Sequence, residues 1–234
     1  MALRPSRTVL SLHGVALPER QFSSSPIRLD LELPRRSAAL LQVDDETDAE
    51  ALVDICLGMA DPVGGQVRFL GVDWASRTPR ERMTRRRRIG AVVQSDVWPA
   101  YMTVLDSVLL AGSYHFDRTR ADMLAQATEL ARLFALPGLP TGRRETTPRR
   151  ALVRAACVRG FLGTPDLVVV QDAVLEQSAD LAVPMAQAIS TACDRGGAVL
   201  WIAASLAAAA AEFVEADQVL RLGEQGLVRA RRGR

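Results

Sequence analysis

Three short segments, Ala38–Val43 (AALLQV), Leu167–Val170 (LVVV) and Ala198–Ala203 (AVLWIA), are apolar at nearly every position. A strand with one wet face alternates between apolar and polar residues, so strands this uniform must be covered on both faces. Val9–Val15, Ile27–Leu33, Gln66–Leu70, Ile89–Val93 and Gln218–Leu222 also read as strands. Between them lie segments with helical spacing: Ala49–Met59, Thr78–Arg88, Thr103–Ser113, Arg120–Leu136, Arg149–Phe161, Asp180–Cys193 and Leu206–Glu215. Pro18–Pro26 and Asp61–Gly65 read as turns, Pro137–Pro148 as a loop, and the final RARRGR as a solvated basic tail. Alternation of strands and helices predicts an α/β chain in which helices cover a mainly parallel sheet. No internal repeat is visible.

Length and charge narrow the options little: 234 residues are enough for one sizeable core, and the net charge is only +2. The absence of lysine narrows them more, because all 29 basic residues are arginine. A Schiff base, a lysine general base and a phosphate-loop lysine are therefore excluded. Cys56, Cys157 and Cys193 are far apart in apolar stretches, which predicts buried thiols rather than disulfides or a zinc site. The N-terminal stretch has no continuous apolar core of the secretory kind. The longest apolar run, Ala198 to Ala211, is about 14 residues, short of the ~20 a spanning helix needs. A cytosolic protein is expected.

Four stretches carry a resemblance to a known family: AALLQVDDETDAEALVDICLGMADPVGGQVRFLGVDW, RRRRIGAVVQSDVWPAYMTVLDSVLL, RAACVRGFLGTPDLVVVQDA and GGAVLWIAASLAAAAAEFVEADQVLRLGEQGLV. In spacing and apolar pattern the chain resembles the nucleotide-binding domain of ABC transporters over nearly its whole length. The resemblance implies one domain over residues 1–234. It implies a RecA-like, mainly parallel sheet with an N-terminal antiparallel β subdomain and a helical subdomain at about 96–162.

The family's chemical residues are largely replaced. Its phosphate loop, GxxxxGK[ST], wraps phosphates with glycine amides, bridges them with lysine and places a hydroxyl on Mg²⁺. The matching positions here are Gln42, Thr47, Asp48 and Ala49, and Asp44–Glu50 holds five acids in seven residues. A carboxylate ~4 Å from a phosphate charge is unfavourable by about 4 kcal/mol at an effective dielectric of 20. The carboxylates are expected instead to satisfy the N–H groups of the following helix, as bound phosphate does in an active relative. A solvated acidic loop with an N-cap is the alternative. The Asp-Glu that ends the family's apolar strand, for Mg²⁺ and the attacking water, corresponds to Gln171 and Asp172. Gln171 is neutral and a poor Mg²⁺ ligand. The signature LSGGQ corresponds to Thr147, Pro148, Arg149, Arg150 and Ala151, where proline and arginines cannot copy glycine geometry, although the arginines can still meet an anion. The switch histidine corresponds to Ala204, the D-loop aspartate falls near Ser178, and the adenine-stacking aromatic falls near Pro18. No catalytic residue, cofactor or metal is expected.

One family feature is retained. Gln94 follows IGAVV as the Q-loop glutamine does, beside the groove that receives the permease's coupling helix. Trp98, Pro99, Tyr101 and Met102 follow, residue types favoured at interface cores; packing within the helical subdomain is the equal alternative. Arg85–Arg88 reads as a solvated face, since no aromatic interleaves with it. The stretch VLDSVLLAGSYH resembles the ATPases of Mce-type lipid transport systems. The resulting expectation is a non-catalytic cassette, peripheral on the inner face of the cell membrane. It would dock a transmembrane permease and pair with a homologous active ATPase or with itself, without nucleic acid. The alternatives are a divergent ATPase with a rebuilt site and a soluble regulator that binds protein or RNA.

Overall fold

In the computed structural model, residues 7–18, 27–93, 98–113, 119–171, 179–205, 215–223 and 226–230 are described. Strands β1 (Thr8–Ala16), β2 (Arg28–Pro34), β4 (Gly64–Phe69) and β5 (Val72–Asp73) form one antiparallel sheet in the order β2-β1-β4-β5. In β2 the leucines at 29, 31 and 33 point inward while Arg28, Asp30 and Glu32 face water, the alternation of a sheet covered on one side.

The second sheet contains β3 (Ala38–Gln42), β6 (Ile89–Val92), β7 (Leu167–Gln171), β8 (Ala198–Ala203), β9 (Gln218–Gly223) and β10 (Gly226–Arg229), in the order β10-β9-β3-β8-β7-β6. Its pairs are parallel except β10 with β9. The uniform strands are central, and their successive residues serve two cores. Ala39, Leu41, Leu167, Val169, Leu200 and Ile202 join the core shared with the antiparallel sheet and α1 (Glu46–Cys56). Leu40, Val168, Val170, Val199 and Trp201 join a second core. That core is closed by α3 (Val104–Ser113), α4 (Arg120–Leu133), α5 (Arg149–Phe161) and α6 (Ala182–Asp194).

The remaining helix, α2 (Pro79–Arg86), buries no residue. Thr78 and Glu81 form a capping box at its start, with Pro79 in the first turn. It is fixed to the loop after α1 by arginines: Arg82 pairs with Asp61 at 2.8 Å, and Arg86 donates to Gly58 O at 2.9 Å.

Helix α5 crosses β6 at a point where both chains carry glycine. A Cβ on Gly90 would lie 1.8 Å from Gly160 O, and one on Gly160 would lie 2.4 Å from Val92. Only two residues without side chains permit that approach, which brings the helical region onto the edge of the sheet.

Several boundaries differ from the sequence expectation. Helix α1 begins at Glu46, not Ala49, so most of the acidic run lies inside it. Strands β5 and β10 were not expected, being short and weakly patterned. Arg229 belongs to β10, and Ala230 N donates to Val219 O, so the expected basic tail begins as a paired strand. Residues 231–234, 19–26 of the expected turn and 206–214 of the expected helix lie outside the described residues.

Candidate functional site

Strand β3, the loop 43–45 and helix α1 form a strand–loop–helix turn at the carboxyl end of the parallel sheet. Leu52, Val53, Ile55 and Cys56 on α1 are buried. Burial of a large aliphatic side chain contributes roughly 1.5–3 kcal/mol, so packing holds the helix and the loop needs only to start it.

Asp45 starts it. Its carboxylate accepts from Asp48 N at 3.0 Å, with extended backbone at φ −94°, ψ 125°. Glu46 and Asp48 add negative charge to the first turn, where the helix dipole favours it. Asp44 is held from two sides: Gln42 Nε2 donates to it at 2.7 Å, and Arg221 Nη2 on β9 pairs with it at 2.7 Å. Thr47 is exposed, whereas Asp48 is 4% exposed and Ala49 is buried. Asp44, Asp45, Glu46, Thr47 and Glu50 remain exposed, and Asp48 is the one acid of the run that is buried. The run is a helix start capped by its own carboxylates.

Of the other expected remnants, Gln171 ends β7 at 6% exposure, and Ala204 follows β8 exposed to solvent. Pro18 is exposed just after β1. Asp172, Ser178 and Gln94 lie outside the described residues. Thr147 precedes α5, Pro148 caps it without a side-chain hydrogen bond, and Arg149, Arg150 and Ala151 form its first turn.

The two signature-position arginines differ. Arg149 is exposed. Arg150 Nη2 pairs with Asp180 at 2.5 Å, and the buried Arg154, one turn on, donates to both Asp180 and Phe134 O. The hydrogen bond from Arg150, joined by one from Arg154, holds the Asp180 carboxyl below the usual carboxylate range against the opposing effect of burial. Sequence reading missed Asp180, because nothing local marks a carboxylate that meets its partners 26 and 30 residues away.

A cleft of about 450 Å³ opens between α1, β6, α5 and the end of β7, lined in part by Glu50, Asp54, Met59, Ala91, Arg159 and Gln171. Arg159 lies over the Trp98 ring with 4.5 Å from Cζ to the centroid, a cation–π contact. Burial pushes the Arg159 guanidinium down to about 10, still charged at neutral pH. Trp98 is half-buried and packs against the helical core. Tyr101 is 79% exposed, while Pro99 and Met102 are half-buried. The four residues therefore divide between the core and the surface. Met59, which the spacing places at the end of a helical segment, lies past the end of α1 and is 63% exposed on the cleft rim.

Burial pushes the thiols of Cys56 and Cys157 up to about 12, and burial with nearby Asp217 and Asp194 pushes Cys193 up to about 11. Among the described residues, no group of His, Cys, Asp and Glu forms a metal site, and no helix is long and apolar enough to cross a membrane.

No protein-family model and no curated protein matches the chain. Solved structures do. The dimeric ATP-binding cassette MJ0796, in a post-hydrolysis state bound to ADP and Pi, superposes with TM-score 0.78 at 14% identity, covering 95% of this chain and 99% of that one. A second dimeric structure of MJ0796, described as a bacterial ABC transporter cassette, gives TM-score 0.76 at 14% identity over the same shares. An ATP-binding subunit of an ABC transporter gives TM-score 0.71 at 15% identity, over 94% of this chain and 88% of that one. With its antiparallel sheet, its parallel sheet and the helices that cover them, the chain has the fold of the ATP-binding cassettes of ABC transporters.

Proposed function

We propose that the chain is a non-catalytic cassette subunit of a membrane ABC transporter, which docks a permease and pairs with an active homologous ATPase or with a second copy of itself. The observation that carries this reading is the start of α1. In the fold of a nucleotide-binding cassette this turn faces phosphate. Here Asp45 occupies the Asp48 amide, and Asp44, Glu46 and Asp48 crowd the same turn with negative charge. A triphosphate does not fit these residues. Like charges repel it, an amide it needs is taken, and no lysine exists to offset either effect. Gln171 adds no charge for Mg²⁺.

The cleft supports the docking half of the reading, since Met59 offers an exposed interface-type side chain at its rim, and Tyr101, three residues after the Trp98 that meets the cleft's Arg159, is exposed. Arg149, exposed at the uncapped start of α5, is the residue that a partner's bound nucleotide would meet. The likeness of VLDSVLLAGSYH to ATPases of Mce-type systems makes a lipid the first cargo to test.

The deciding experiment is a Mg²⁺-ATP titration of the purified chain to millimolar, followed by calorimetry and thermal unfolding. Occupancy at ~100 times a dissociation constant raises stability by about 2.7 kcal/mol. No shift is expected, and a saturable shift overturns the non-catalytic reading. Co-expression with the permease then tests docking: Tyr101→Ala and Met59→Ala are expected to reduce co-purification while leaving the fold unchanged.

A further inference from the structure

Helix α2 is unusual in what it lacks. It places no side chain in either core, and its attachments are the Arg82–Asp61 pair and the Arg86 hydrogen bond to Gly58 O. From Arg77 to Arg88 the chain carries seven arginines against one acid, Glu81. Arg77 is paired with Glu81 and Arg88 with Asp166. Arg80 and Arg85 have no acidic partner among the described residues. Large apolar side chains stand beside these charges: Met83 within the helix is 53% exposed, and Met59 and Val63, flanking Asp61 in the loop the helix is pinned to, are 63% and 65% exposed.

We propose that α2 with the loop 58–63 is a contact surface for an anionic lipid bilayer: Arg80 and Met83, about 60° apart around the helix, meet headgroup phosphate and the acyl boundary, and Arg85, on the flank away from Met83, adds attraction within a Debye length. Three features favour a bilayer over other polyanions. Bare methionines among arginines suit a surface that offers both phosphate and hydrocarbon. Single-stranded nucleic acid is gripped by aromatic platforms, and Arg77–Arg88 contains none. An acidic peptide needs a groove, yet the cleft beside Trp98 is lined by no residue of α2. A protruding helix can lie on a plane that it could not enclose. Met59 also lies on the rim of the cleft assigned above to the permease, so the two surfaces adjoin. The inference rests on the proposed transporter role only for the claim that a membrane lies close by.

The test is co-sedimentation of the purified chain with phosphatidylcholine vesicles, with and without phosphatidylglycerol, at low and physiological salt. Binding is expected to the anionic vesicles only, and to weaken as salt screens the charges. Arg80→Ala with Arg85→Ala should lower that binding roughly fivefold per arginine, about twenty-five-fold for the pair. The control, Arg132→Ala with Arg195→Ala, removes the same charge elsewhere and should retain it. Both pairs lie on exposed or half-buried positions, and matched melting curves confirm the fold. Equal binding to neutral vesicles, or an equal loss in the control, overturns the inference. So does binding of single-stranded RNA, with the same dependence on Arg80 and Arg85, where vesicles fail to bind. Co-purification with the permease should survive the Arg80/Arg85 change, so failure of the lipid contact and failure of the docking reading are read separately.

Discussion

Helices α1 and α5 both start with charged residues, and their starts are built in opposite ways. Helix α1 opens with carboxylates, one of which caps an amide while the others match the positive end of the dipole. Helix α5 opens with Pro148, Arg149 and Arg150, has no side-chain cap, and sets positive charge against the positive end of its dipole. Its missing negative charge comes from outside the helix, from Asp180. A helix start in this fold is thus stabilised either by local sequence or by a partner brought in by the tertiary structure. The first kind draws its negative charge from its own side chains. The second keeps one arginine, Arg149, uncommitted to Asp180.

The largest expected effect removes the scaffold that makes the comparison possible. Gly90→Ala drives a Cβ into Gly160 O, and α5 cannot stay seated on β6; a loss of ~3 kcal/mol in denaturant unfolding is expected. A neutral result would mean that α5 is placed by its other contacts.

Asp180→Asn strikes only the start of α5. It leaves the buried Arg154 with a neutral partner, and about 1–2 kcal/mol of stability should go at neutral pH, discounted because Asp180 is half exposed. The sign of the pH dependence follows from the lowered carboxyl. A depressed group stabilises the fold above its unfolded value, about 3.9, and that contribution is lost as pH falls through the folded value. The gap between wild type and variant should therefore be full at neutral pH and close in acid. A gap that persists at low pH would show that packing, not charge, holds Asp180.

At the other helix, Asp45→Ala should lower stability by about 1 kcal/mol, the usual worth of an N-cap. A much larger loss would mean that α1 depends on its loop more than on Leu52 and Ile55. The smallest effect belongs to the Arg221–Asp44 pair, which is about half exposed on both sides. A double-mutant cycle with Arg221→Ala and Asp44→Ala should give no more than ~0.5 kcal/mol of coupling.

The sequence by itself determined the order of elements. LVVV and AVLWIA contain no polar residue and AALLQ only its last, Gln42, so burial on two faces and a central place in a sheet followed from composition. The acidic run between β3 and α1 was equally legible, since charge and capping act within a few residues. What the sequence could not carry was any pairing across large separations: Arg221 with Asp44 at 177 residues, Arg150 with Asp180 at 30, Gly90 against Gly160, and the division of Trp98 from Tyr101. Local propensity decides where an element starts and stops. Which arginine stays uncommitted, and which acid it would have met, depends on how the layers close over one another, and that was settled only by the tertiary structure.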